Sequence, residues 1–329
     1  MRKSFVFFSF FVLTALVLAS CAPKAQPPAE PPPATQPPPP TQAPAAEQPT
    51  AEEPASETAP SEEAPASIQH ASMPGELPEY TGLHMYDHNV IDGNGKLRSV
   101  NGDSFTHGQF ERPYVTGGEE LLEYLDIREA TFYDADPTWM YVVITMVGTD
   151  SNNALPGKYG LEIDVDLSGK GTWLILVDSP SSAEWTTDRV QVWTDSDGSV
   201  GGVEEMFAEK GAETGNGYET LVFDQGQGDD PDAAWVRMNP DDPASFEIAF
   251  KKSLLGTEKY LISIWAGNSQ LDPAMFDIND HMTHEQAGAM DPATYPDLVP
   301  IKGLSELDNT CRFEIGFSVA SVKGACPPQ

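Results

Sequence analysis

From Ile127 onward the large apolar residues come in short runs broken by Gly, Pro, Asp or Asn, and none keeps a helical period for long. Such spacing commits a chain to strands. Ile127–Tyr133 and Trp139–Val147 are separated by Asp134-Ala135-Asp136-Pro137, a turn signal. Tyr141–Val147 is almost continuously apolar, as a central strand covered on both faces has to be. Tyr159–Val165 alternates, with Tyr159, Leu161, Ile163 and Val165 on one face. Further strands are expected over 172–177, 190–194, 220–223, 235–238, 246–250, 260–265 and 313–319. About ten short strands with turn-rich gaps predict an all-β fold: an antiparallel, jelly-roll-like β-sandwich with one or two short helices. Glu119–Asp126 and His281–Met290 are the expected helices. Between Met275 and Ile301 the strand pattern lapses, and a long excursion from a sandwich is a place for function.

The sandwich is expected to occupy residues 79–329. Ahead of it, Ala22–Pro78 holds 17 of the 30 prolines and almost no large apolar residue. It cannot bury a core and is expected to be a disordered tether, reaching between roughly 40 Å as a coil and roughly 180 Å as polyproline II. Residues 1–21 open with Arg2 and Lys3, followed by an apolar run from Phe5 to Leu18. That run is too short to span a bilayer and ends in small residues, which reads as an export signal. Leu18-Ala19-Ser20-Cys21 resembles the lipobox of bacterial lipoproteins. The resemblance implies that Cys21 takes a diacylglyceryl group and becomes the acylated N-terminus, so that the protein sits at the cell envelope, lipid-anchored and extracytoplasmic. Ala22 stands where an Asp would mark inner-membrane retention, which points toward the cell surface. An ordinary secretory signal with a chance cysteine is the alternative.

Charge narrows the partners. The whole chain carries −33, and the segment from Glu79 holds 43 acids against 15 bases. Nucleic acid is excluded as a partner, because phosphate binding needs a basic face. Anionic headgroups repel the domain as well, so the acyl chains alone must hold the membrane. Carboxylates crowded at this density repel each other, and divalent cations would relieve the repulsion; a surface selected for solubility is the other reading. Besides Cys21 there are two thiols, Cys311 and Cys326. An even pair in an exported chain is expected to form a disulfide, closing a loop of about 15 residues worth about 3 kcal/mol.

Two acidic turns are candidate calcium loops. Glu162-Ile163-Asp164-Val165-Asp166-Leu167-Ser168-Gly169 places hard oxygens, chiefly Asp164 and Asp166, ahead of a tight bend. It resembles Asp-x-Asp-x-Asp-Gly calcium loops, with Ser168 where a third acid is expected. Asp195-Ser196-Asp197-Gly198 is a second such turn. Hairpin turns use Asp and Gly for backbone reasons too, so both readings stand. His281 and His284 in Asp280-His281-Met282-Thr283-His284-Glu285 share a helix face and are candidate zinc ligands. No glutamate lies between them, so the general base of a metalloprotease is missing. His84 and His88 form a second pair beside Asp87. No Gly-x-Ser-x-Gly elbow and no phosphate-binding Gly loop appears, and no catalytic residue is assigned. Of six tryptophans, Trp185 in a polar loop and Trp193 beside an acidic turn are the candidates for stacking on a sugar face; the other four read as core.

Asp136-Pro137-Thr138-Trp139-Met140-Tyr141-Val142-Val143-Ile144 and Leu161–Asp166 resemble part of a family 9 carbohydrate-binding module or a related DOMON-type sandwich. That resemblance covers roughly 40 residues and implies glycan recognition with calcium. Asp280–His284, Asp308-Asn309-Thr310-Cys311 and Cys326 are also similar to the ending of a group of uncharacterised bacterial surface lipoproteins. The expectation is a non-enzymatic, lipid-anchored envelope module that binds a glycan or wall polymer with structural calcium. The alternatives are a structural or protein-interaction module of the surface, and a metal-dependent hydrolase using His281 and His284. Sequence leaves the oligomeric state open.

Overall fold

The computed structural model describes residues 68–87, 109–115, 120–201, 215–276, 304–317 and 325–326. Their strands, in chain order, are β1 (Leu83–Tyr86), β2 (Glu111–Arg112), β3 (Ile127–Tyr133), β4 (Trp139–Met146), β5 (Lys158–Asp164), β6 (Trp173–Asp178) and β7 (Val190–Thr194). There follow β8 (Thr220–Asp224), β9 (Gln227–Gly228), β10 (Ala234–Met238), β11 (Ser245–Lys251), β12 (Tyr260–Gly267), β13 (Leu307–Asn309) and β14 (Phe313–Ile315). A five-stranded sheet runs β1-β3-β4-β11-β10, and a nine-stranded sheet runs β2-β13-β12-β5-β6-β7-β8-β9 with β14 also on β12. All strand pairings within the two sheets are antiparallel. The two-sheet, all-β architecture is the one the runs of short strands predict.

Alternation explains how the sheets stack. In β4, Met140, Val142, Ile144 and Met146 enter the main core, where they meet Leu161 and Ile163 of β5 and Val190 and Val192 of β7. The other face of β4 is also covered, as the unbroken apolar run requires: Trp139 and Tyr141 join Trp235 and Ala249 in an outer cluster. Asp136 starts this strand by accepting hydrogen bonds from the Thr138 and Trp139 amides at 2.7 and 2.8 Å, an Asx turn. The outer face of the large sheet carries a third cluster of Leu174, Leu176, Tyr218, Trp265, Phe276 and Leu307. The disulfide Cys311–Cys326 is present, with the Cα atoms 5.0 Å apart.

Two expectations are corrected. Glu119–Asp126 is not a helix: over the described residues 120–126, Leu121 forms a bridge to Tyr114 and a turn follows. A segment this short gains little from helical propensity alone, and Leu125 and Ile127, two apart, are both buried in the core. The helical turns among the described residues are two short 3-10 pieces, Lys252–Leu254 and Pro273–Met275. The packed chain also begins ahead of Glu79. Residues 68–78, placed in the tether by composition, run along the outer cluster of the small sheet. Asp232 accepts from the Ala71 and Ser72 amides at 2.9 and 2.8 Å, and the Tyr141 hydroxyl accepts from Gly75 N at 3.2 Å. A few buried acceptors thus hold a stretch with little apolar surface of its own.

Candidate functional site

The outward face of β7 and the turn after it hold three of the candidate residues, Trp193, Asp195 and Asp197. Val190 and Val192 point into the core, so Gln191 and Trp193 face outward. Trp193 is half-buried, packs on the outer cluster opposite Leu174, and donates from Nε1 to Gln191 Oε1 at 3.3 Å. Gln191 in turn lines a groove with Lys158, Leu176, Asp178, Arg189, Gln225 and Pro273. The groove's rim is shaped by the β8–β9 hairpin, whose two loop residues Gln225 and Gly226 both have positive φ, at 52° and 85°, the backbone of a type I′ turn. Across the strand from Trp193 is Leu221, which is 40% exposed. Ring, amides, cations and a carboxylate therefore share one open surface.

Beyond Trp193 the strand runs into Asp195-Ser196-Asp197-Gly198. Here the structure adds a residue that sequence analysis did not find, Glu219. Carboxylate oxygens of Asp195, Asp197 and Glu219 lie within 4.8 Å of one another. Asp195 accepts from the Gly198 and Ser199 amides at 2.8 and 3.1 Å and from Val200 N at 2.9 Å. Asp197 accepts from Ser199 N at 3.0 Å, and Glu219 from Ser196 N at 2.9 Å and from the Ser196 hydroxyl. Hydrogen bonds, led by those from Ser199 and Ser196, hold the carboxyls of Asp197 and Glu219 below their usual values, so both are anionic at neutral pH. Hard anionic oxygens at this separation match the ligand set of a calcium ion.

The turn after β5 is organised differently. Asp164 Oδ2 accepts from Gly169 N at 2.8 Å, Asp164 Oδ1 from Ser168 N at 3.3 Å, and Asp166 Oδ1 from Ser168 N at 3.0 Å. Burial, and then the hydrogen bond shared with Asp166, push the Asp164 carboxyl up to about 6. Beneath the turn, Glu162 accepts from Trp265 Nε1 (3.0 Å), Ser263 Oγ (3.1 Å), Arg312 Nη2 (3.2 Å) and Tyr218 OH (3.2 Å). Arg312 Nη1 also donates to Gly169 O at 2.8 Å, so a cation already occupies a carbonyl that a calcium loop would use. A Cβ at Gly171 would overlap the Tyr218 hydroxyl and the Glu162 carboxylate. The Asp164–Asp166 pair serves here as a hairpin clamp: three of its four oxygens accept from amides of the turn itself. The two acidic turns are neighbours, joined where Lys170 Nζ donates to Gly198 O at 3.2 Å.

Trp185 is corrected as a free sugar platform. Its indole donates to Gly75 O at 3.0 Å, the Arg237 guanidinium carbon lies 4.6 Å from the ring centroid, and Tyr141 packs against it. Arg237 is itself bonded to Glu247 at 2.7 Å. The polar surroundings of Trp185 in sequence come from a loop that folds onto the small sheet, where a stacked cation takes the ring face. His84 lies on β1, with Nδ1 3.0 Å from Thr131 Oγ1 and Nε2 3.3 Å from Glu129. His88, His281, His284 and Cys21 lie outside the described residues.

No protein-family model, curated protein or solved structure matches the chain.

Proposed function

We propose that this protein is a non-enzymatic binding module of the cell envelope, held to the membrane by lipid on Cys21, that takes a glycan or wall polymer on the outward face of its large sheet. The observation that carries this reading is Trp193, a partly open indole hydrogen-bonded to the floor of a groove rich in amides and charges. Sugar recognition draws on that pairing: an aromatic face for C–H contact and fixed polar groups for the hydroxyls. Asp195, Asp197 and Glu219 would hold a structural calcium ion at the end of the same strand, keeping the Trp193 end of β7 rigid. The resemblance to carbohydrate-binding sandwiches and the lipobox agree with this reading, and the Pro-rich stretch supplies a tether.

A polysaccharide panel followed by tryptophan fluorescence tests it on the full chain. At least one polymer is expected to shift the emission. Trp193→Ala should abolish that response while the melting temperature stays close to that of the unsubstituted protein. A panel with no response, or a response that survives Trp193→Ala, removes the glycan reading. The exposed Leu221 beside Trp193 favours a second reading, a protein-docking patch. It predicts envelope proteins that co-purify with the unsubstituted chain and are lost with Leu221→Asp.

A further inference from the structure

We propose that Asp87, Glu111, Asp126 and Asp308 form a divalent-cation site of the calcium class that staples the edge of the small sheet to the edge of the large one. It is separate from the β7 turn and does not depend on the glycan reading. Asp87 follows β1, and Asp126 immediately precedes β3, the first two strands of the small sheet. Glu111 lies in β2 and Asp308 in β13, the first two strands of the large sheet. The two are register partners, since Asp308 pairs with Glu111. The sheets meet here directly: Asp308 Oδ2 accepts from Ile127 N at 2.7 Å.

Oxygens of Asp87, Glu111 and Asp308 lie within 4.8 Å of one another. Two ligands on opposite sides of a calcium ion stand about 5 Å apart, so one ion bridges such a set. The independent observation is Asp126. Its side chain is 1% exposed, and neither of its carboxylate oxygens has a hydrogen-bond partner. Asp308 is fully buried, and its Oδ1 has none either. A buried carboxylate without a donor is among the most costly groups a fold can hold, and natural cores pair nearly all of them. Asp126 adjoins Ile127, whose amide Asp308 holds, and the charges of Asp87 and Asp126 both act on Asp308. Three hard oxygens within 4.8 Å, with buried Asp126 beside them and no soft ligand among them, suit calcium, magnesium or manganese rather than zinc. The chain separations, from 87 to 308, make such an ion a cross-link between segments near the two ends of the domain, β1 and β13.

The test uses the full chain stripped with a chelator, then titrated with calcium chloride by calorimetry and by thermal melting. The unsubstituted protein is expected to bind calcium and to melt higher as it does. Asp126→Asn should weaken that binding by about tenfold or more and shrink the melting shift. In chelator the same variant should melt above the unsubstituted chain, because it removes a buried, unpaired charge. Asp308→Asn, a second isosteric change, should also weaken calcium. Glu219→Gln at the β7 turn should leave this binding in place, which separates the two cation sites. The proposal is overturned if calcium leaves the melting temperature unmoved. It is also overturned if Asp126→Asn binds calcium as the unsubstituted chain does, or if Glu219→Gln alone removes all calcium binding.

Discussion

Carboxylates at the two acidic turns and carboxylates at the sheet edges are the same group in opposite surroundings. At the turns after β5 and β7, the acids named above accept from amides, hydroxyls or a guanidinium. At the edges, Asp126 and Asp308 are as buried as Glu162 and Asp164 yet retain oxygens that no donor reaches. The contrast teaches that the density of acids along a sequence is a poor guide to where a cation is needed. Turn acids are in place to organise backbone, and even the buried pair Glu162 and Asp164 has its donors close at hand. Edge acids come from separate segments and gather only when the sheets close, and the desolvation of Asp126 and Asp308 then asks for a counter-charge.

The comparison breaks first at Glu162, which has four donors where Asp126 has none. Glu162→Gln removes the carboxylate that buried Arg312 bonds and should cost about 3 kcal/mol or more in chemical denaturation. Asp126→Asn in chelator should move the opposite way. If both destabilise alike, the distinction between donor-rich and donor-poor acids fails. A smaller effect is expected at the β7 turn. Asp195→Ala leaves the amides of Gly198, Ser199 and Val200 without their acceptor and should cost about 1–2 kcal/mol, read from the same denaturation curves. The smallest effect sharpens the comparison by pH. Asp164 titrates at about 6 in the folded protein, above its ordinary value of 3.8. Its proton is therefore held more tightly in the folded state, and its contribution to stability is full below about pH 4 and declines as pH rises to about 6. A carboxyl-carbon NMR titration should show that midpoint; a value near 4 would mean that the turn is more open to water than the structure has it.

Much of the sandwich was legible because period-two alternation is a local property. Ile127–Tyr133 and Val190–Thr194 have the expected bounds, and most other long strands differ by a residue or two. The short strands β1, β2, β9 and β13 were not foreseen. Two to four residues carry no period of their own, and their pairing is set by neighbours far away in sequence. The helix expected over 119–126 failed for a related reason: its apolar residues fit either period, and contact with Tyr114 and the core decided between them. At the candidate site, Trp193, Asp195 and Asp197 were visible as neighbours along one strand end and the turn after it. Glu219 was not, because it reaches them from the far end of the β7–β8 connection. Trp185 misled because loop polarity says nothing about which surface a loop folds onto.

By itself the sequence determined the two-sheet class, the central place of β4, and the cysteine pair that closes the end of the chain. These follow from residue spacing and from the small number of partners each piece can have. Tertiary structure alone decided that residues 68–78 lie on the small sheet, that Glu162 rather than Asp164 anchors the first acidic turn, and that Asp87, Glu111 and Asp308 converge. The physical reason is common to all three. Desolvation and the distances between charges depend on which segments meet in space, and no local pattern along the chain encodes that.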